Sequence, residues 1–280
     1  MSLAVRAASA REAERLWRSV VADRLFESAE QFGAFHLAGQ WRVRVTDSGE
    51  ASLLGPWRDH LGVLAIRGVW SQERHVGDFA IDAMEQARSH GFSSVLSPLL
   101  PEVLLRGYVN AGMRVAQRIV AIQGHPEIIL PAQPPIGVRI RPATEADITA
   151  VARLDSACFE EFWRYSAPEF RDLSHVERMA VAEAEGGALI GYTLATVSRG
   201  AATLSRLATA PHARRCGIGR ALLVESVSWA LQQGAVTLSL CTQEENSASR
   251  AMYASAGLSE LPERYALACA DVRVEGRSCE

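Results

Sequence analysis

Three arginines and two glycines crowd into the run Ala210-Pro211-His212-Ala213-Arg214-Arg215-Cys216-Gly217-Ile218-Gly219-Arg220-Ala221. Arg214, Arg215 and Arg220 carry full charges whose geometry suits phosphate oxygens. Gly217 and Gly219 lack a Cβ, so the backbone there can approach a ligand closely and take positive φ. Residues 203–209 before the run read as a strand, and 221–233 after it as a helix. A turn that opens a helix presents unpaired N–H groups and the positive end of the helix dipole. These features describe a seat for a phosphate or diphosphate. The competing reading is an ordinary strand-to-helix turn with solvated arginines. The run has no Gly-Lys-Ser/Thr ending, no third glycine and no downstream acidic residue, which excludes a P-loop and a dinucleotide fingerprint.

Arg214-x-x-Gly217-x-Gly219 resembles the acetyl-CoA loop of the GNAT N-acetyltransferase superfamily, Gln/Arg-x-x-Gly-x-Gly/Ala. Three further pieces follow in that family's order: the strand end Leu207-Ala208-Thr209-Ala210-Pro211, then Asn246, then Met252-Tyr253-Ala254-Ser255-Ala256-Gly257-Leu258. The resemblance covers about residues 138–270. It implies that Arg214, Arg215, Cys216, Gly217, Ile218, Gly219 and Arg220 hold the diphosphate of acetyl-CoA. It also implies a bulged strand at Leu207, Ala208 and Thr209 that pairs with the pantetheine arm and polarises the thioester. Asn246 matches the asparagine that contacts the cofactor, and Tyr253 the tyrosine that protonates the departing thiolate. The chemistry is sound: a thiolate has a conjugate acid near pKa 8.5 and a phenol near 10, so a phenol in reach can donate as charge develops. The alternative for Tyr253 is a ring packed under the sheet, the role expected of its counterpart Tyr108.

The proton acceptor is harder to place. Many members carry a glutamate two residues before the Leu207 position, where this chain has Ser205. A hydroxyl cannot take up a proton usefully near neutral pH, but it can hold a water in a relay. Glu160 and Glu161 are rival bases, each more simply read as an exposed loop charge. In the family, acceptor selectivity resides in the segment after the first helix, here Phe159-Glu160-Glu161-Phe162-Trp163-Arg164-Tyr165. Phe159, Phe162, Trp163 and Tyr165 could line an apolar pocket with Glu161 drawing in a cationic amine, or bury against the first half of the chain.

Bulk properties set the frame. The chain has 280 residues, long for one domain and comfortable for two. A net charge of −3 gives no general attraction to nucleic acid or an anionic membrane. No apolar run is long enough to span a bilayer and no signal-peptide pattern opens the chain, so a cytoplasmic location is expected. The five cysteines are scattered and lack metal-ligand spacing, as do the seven histidines, so no metal is expected. There is no lysine; all 29 basic residues are arginine, as arginine-biased codon usage would give.

The elements that must hold the site occur twice. Val5-Arg6-Ala7-Ala8-Ser9 lines up with Ile140-Arg141-Pro142-Ala143-Thr144, and Tyr108…Met113 with Tyr253…Leu258. Ser9-x-x-Glu12 and Thr144-x-x-Asp147 are capping boxes opening the helix of each copy, the first running to about Phe26 and the second to about Phe159. The expected fold is α/β (α+β): two tandem GNAT-like domains, each a mixed, mostly antiparallel sheet flanked by helices. The boundaries read 1–125, a proline-rich linker 126–137, an active domain 138–270 and a polar tail 271–280. In the first copy the seat is replaced by Glu73-Arg74-His75-Val76-Gly77-Asp78, whose single glycine and carboxylate oppose a diphosphate. That copy is expected to be degenerate. The function expected is transfer of acetyl from acetyl-CoA to an amine of a small molecule or peptide by direct attack in a ternary complex. A non-catalytic acyl-CoA sensor and a dedicated biosynthetic enzyme of the mycothiol synthase type are the alternatives; a homodimer stays open.

Overall fold

The computed structural model describes residues 3–22, 26, 28–58, 60–129 and 131–272. Most of the polar tail, and the end of the first helix before Phe26, lie outside the described residues. The first run of elements is β1 (Arg6–Ala7), α1 (Ala10–Ala22), α2 (Ala29–Leu37), β2 (Val43–Val45), β3 (Ala51–Trp57) and β4 (His60–Trp70). It continues with α3 (Val76–Ser89), β5 (Ser94–Leu96), β6 (Leu100–Pro101), α4 (Arg106–Asn110) and β7 (Arg114–Gly124). The second run is β8 (Val138–Pro142), α5 (Ile148–Cys158), α6 (Ala167–Val176), β9 (Arg178–Ala184), β10 (Leu189–Ser198) and β11 (Ala201–Thr209). After it come α7 (Ile218–Gln232), β12 (Thr237–Gln243), α8 (Ser247–Ser255) and β13 (Ser259–Asp271). Both capping boxes form: the Ser9 amide donates to Glu12 at 2.9 Å and that of Thr144 to Asp147 at 2.8 Å. No described helix is long and apolar enough to cross a membrane.

The chain forms two compact units, and they do not follow chain order. One joins the residues up to Arg118 with those from Tyr265 onward; the other is Ile119–Arg264. The linear division at 125/138 therefore misses an exchange of last strands. In the first unit β1–β4 are antiparallel neighbours, β5 runs parallel to β4, and Cys269–Asp271 of β13 closes on β5. In the second, β8–β11 are antiparallel, β12 runs parallel to β11, and Ile119–Gly124 of β7 closes on β12. The exchanged residues are core members. Val120 and Ile122 pack with Leu204, Leu223 and Tyr253, while Ala266, Ala268 and Val272 pack with Leu64, Ala83 and Tyr108. The expected linker is likewise drawn in, with Ile129 buried in the second unit's core.

Each sheet has helices on both faces. In the first unit α3 covers one face, where Arg44 of β2 donates to Asp82 at 2.6 and 2.8 Å with both side chains 7% exposed. In the second, α7 lies over one face and α5 and α6 over the other. On α7, Leu223, Val227 and Ala230 are buried, whereas Leu231 faces solvent at 39% exposure. Removing one partner of the Arg44–Asp82 pair strands a buried charge, so Asp82→Ala should cost about 3–5 kcal/mol of stability. Replacing both by apolar residues should recover most of that loss in a denaturant titration.

Candidate active site

The site is shaped by one extra residue in β11. Leu194 of β10 pairs with Arg206 and the next residue, Ala195, with Leu204, so Ser205 is a bulge. On its other side β11 pairs in parallel with β12 from Ala201 to Leu204 only. Beyond Leu204 the two strands part, and residues 205–209 keep one edge outside any described ladder. Freed backbone donors and acceptors seek other partners, so this edge can receive an extended ligand arm. Leu207, Ala208 and Thr209 lie on it in regular register with β10, so the bulge falls at Ser205, ahead of the three residues where the sequence placed it.

At the end of that strand the glycine run turns into α7. Gly217 is its N-cap with φ +83°, a left-handed conformation that a side chain would strain, and Arg215 before it has φ +61°. The helix starts at Ile218, three residues earlier than the sequence suggested, because Ala221 N–H already reaches Gly217 O at 3.0 Å. The amides of Ile218, Gly219 and Arg220 thus have no intrahelical partner. A Cβ on Gly219 would meet Met252 Sδ at 3.2 Å and Thr209 Oγ1 at 3.5 Å, so glycine lets the loop close on α8 and β11. The Thr209 hydroxyl there is buried without a partner. Arg214 donates to Thr209 O at 3.3 Å, and Arg214, Arg215 and Cys216 are exposed. Unpaired amides, open cationic side chains and no carboxylate in the run fit the diphosphate of a coenzyme. The described residues contain no cluster of three or more His, Cys, Asp or Glu that could hold a metal.

The first unit treats the matching turn differently. A Cβ on Gly77 would meet Gly107 O at 3.2 Å, and one on Gly107 would meet Val76 Cβ at 3.0 Å, so these glycines let α3 and α4 approach. Asp78 accepts from Leu3 N–H at 3.2 Å, and His75 pairs with Glu50 at 2.9 Å.

Arg206, one residue past the bulge, was not singled out in the sequence, yet it organises the aromatic segment after α5. It donates to Asp155 at 2.7 and 2.8 Å, to Tyr192 OH at 3.0 Å and to Trp163 O at 2.5 Å. Tyr192 OH donates to the same Asp155 oxygen, and the other oxygen accepts from Tyr165 N–H at 2.8 Å. The guanidinium lies between Phe159 (3.8 Å) and Tyr165 (4.3 Å), a cation–π sandwich. Phe159 and Tyr165 therefore pack within their own unit. Phe162 and Trp163 meet edge-on at 4.8 Å, and Glu160 and Glu161 are exposed.

The bulge also faces a carboxylate that no motif marked. Glu177, just before β9, has a buried Oε2 with no hydrogen-bond partner. Burial pushes its pKa up, and the Ser205 hydroxyl draws it part of the way back. Ser205 itself is exposed, so the pair meets solvent at the bulge. Tyr253 is 6% exposed in the core beneath β11 and β12, and burial raises its pKa above the ordinary value of 10.0. Tyr108 in the first unit is buried and raised in the same way, so burial alone does not separate their roles. Asn246 caps α8, its side-chain oxygen accepting from Ser249 N–H at 3.2 Å, a bond that does not engage its amide NH₂.

Arg206→Ala removes the anchor of residues 159–165 and leaves Asp155 charged and buried. Amide exchange across that segment should quicken at least tenfold, and stability should fall by about 3–5 kcal/mol. Exchange in β12 should change only by the global loss.

Comparison with known proteins places this arrangement. The acetyltransferase (GNAT) family profile matches residues 148–258, which hold the bulge, the glycine run, Asn246 and Tyr253. An uncharacterized N-acetyltransferase of Bacillus subtilis (strain 168), YhfO, is 30% identical over 137 residues, 44% of this chain and 91% of that protein. Over nearly the whole chain the fold is similar to a GCN5-related N-acetyltransferase from Sphaerobacter thermophilus, with TM-score 0.67, 18% identity and coverage of 97% and 96%. It is also similar to a tandem GNAT protein from the clavulanic acid biosynthesis pathway, with TM-score 0.65, 15% identity and coverage of 98% and 100%. The strand that parts at Leu204 and the glycine turn that follows it thus sit inside a shared sequence pattern, and the chain belongs to the GNAT acetyltransferase family.

Proposed function

We propose that the second unit transfers an acetyl group from acetyl-CoA to an amine of a small molecule or peptide, by direct attack in a ternary complex. The observation that carries this reading is the left-handed Gly217 turn opening α7 beside the unpaired edge of β11. Amides of residues 218–220, with Arg214, Arg215 and Arg220, would hold the diphosphate. The edge at Leu207, Ala208 and Thr209 would align the pantetheine arm and thioester. The coenzyme, when bound, supplies the activated acetyl carbon and a thiolate leaving group.

The chain's own residues would then manage protons and position. An incoming ammonium must lose a proton before it can attack. Glu177, raised by burial and coupled to the Ser205 hydroxyl, is suited to receive it, with Ser205 relaying through a water. This replaces the strand glutamate whose absence otherwise favours a sensor without turnover. Tyr253, kept protonated by burial, would donate a hydrogen bond to the thiolate as charge develops. Full transfer from a raised phenol is less favourable, so electrostatic stabilisation is its larger share. Arg206 would act only by fixing residues 159–165, where Phe162, Trp163 and Glu161 border the acceptor. The first unit, with Asp78 at its helix start and Gly77 committed to helix packing, would carry no coenzyme.

Calorimetry with acetyl-CoA and release of free thiol on an amine panel test this directly. Gly217→Trp should abolish coenzyme binding, and intact binding would place the diphosphate elsewhere. Tyr253→Phe should lower kcat about 10–100-fold with an unchanged coenzyme Kd. Because the base works ionised, the rate should fall as pH drops through the Glu177 pKa, which lies above the ordinary 4.5. Glu177→Gln should lower kcat about 100-fold and flatten that acid limb; a limb left in place would remove Glu177 from the mechanism.

A further inference from the structure

The first unit keeps the bulge but inverts its charge. Leu53 of β3 pairs with Gly68 and Leu54 with Ile66, so Arg67 is the extra residue of β4, as Ser205 is of β11. Beside Ser205 stands Glu177, immediately before β9; beside Arg67 stands Arg42, immediately before β2. A carboxylate and a hydroxyl in one unit are replaced by two guanidiniums in the other.

Both guanidiniums lie against one aromatic platform. The ring of Phe35 is 5.2 Å from Arg42 Cζ and 5.8 Å from Arg67 Cζ, and Phe26, 5.9 Å from Arg67, packs on Phe35 at 5.0 Å. No described carboxylate pairs with either arginine, and Arg42 Nε is buried without any partner. Elsewhere in this unit arginines find acids: Arg44 with Asp82, Arg6 with Glu12, Arg118 with Glu102. Arg67 is open to solvent along part of its length, yet burial of the rest and then the charge of Arg42 lower its pKa. Two like charges with no acidic partner among the described residues are unfavourable alone and become favourable once an anion joins them.

We propose that the first unit binds a small organic oxyanion here, its carboxylate or phosphate held by Arg42 and Arg67 and its apolar body resting on Phe26 and Phe35. The planar guanidinium suits either oxyanion, and the rings suit an aromatic or branched carbon frame. The site takes the opposite charge from the cationic amine proposed for the second unit, and it stands whether or not that unit is catalytic.

Phenyl phosphate and benzoate are the probes, titrated by calorimetry into the full chain. At least one should bind one-to-one, and the tighter of the two distinguishes phosphate from carboxylate as the natural headgroup. Arg67→Ser and Arg42→Gln should each weaken that binding tenfold or more, while Arg214→Ser should leave it unchanged. Without ligand, Arg67→Ser should melt at or above the temperature of the parent protein, since it relieves a like-charge contact. The proposal is overturned if neither probe binds, if binding survives both substitutions, or if it is lost with Arg214→Ser instead. It is equally overturned if Arg67→Ser melts well below the parent, which would make Arg67 a structural residue.

Discussion

The geometry of the second unit depends on a single inserted residue. In a regular strand Leu204 and Arg206 would face the same side of the sheet. With Ser205 bulged between them, Leu204 packs with Leu223 and Val227 of α7, whereas Arg206 reaches Asp155 of α5 on the opposite face. The same irregularity ends the parallel ladder with β12 and frees the edge that leads to the glycine turn. Register, the fixing of the aromatic segment and the opening for a ligand are therefore one constraint.

Burying Arg206 is expensive, and the fold compensates the charge from every side. A fully buried carboxylate, a tyrosine hydroxyl, a backbone carbonyl and two aromatic faces meet the guanidinium. A buried ion pair of this kind contributes little net stability over an apolar replacement. It does select one arrangement of residues 159–165, because a rotated segment would leave Asp155 and Arg206 unsatisfied together. Rigidity next to a reacting centre serves positioning, where small displacements cost rate.

Much of this was legible in the sequence. The glycine run, both capping boxes and the repeat all form where the residue types place them, because each rests on local backbone needs: positive φ at Gly217, a paired N-cap at Thr144, a helix stop at Gly257. What escaped was non-local. Glu177 carries no signal in its neighbourhood, since its interest comes from a hydroxyl 28 positions away across the sheet. Arg206 reads as an ordinary polar strand residue until the bulge turns it inward. In the aromatic segment, Phe159 and Tyr165 take a role the sequence did not signal: both rings lie against the Arg206 guanidinium of their own unit. The exchange of last strands was hidden because β7 and β13 each read as a closing strand of its own half, and nothing local marks which sheet each one joins.

That exchange has a consequence for how the polypeptide matures on the ribosome. The unit that appears second in the chain is contiguous, from Ile119 to Arg264, and has every strand it needs before synthesis ends. The unit that appears first has waited all that time with β5 lacking its neighbour, since Cys269–Asp271 is among the last described segments to emerge. The first sheet can therefore gain this neighbour only after the second unit's strands have been made, and until then β5 is an open edge of the kind that needs shielding.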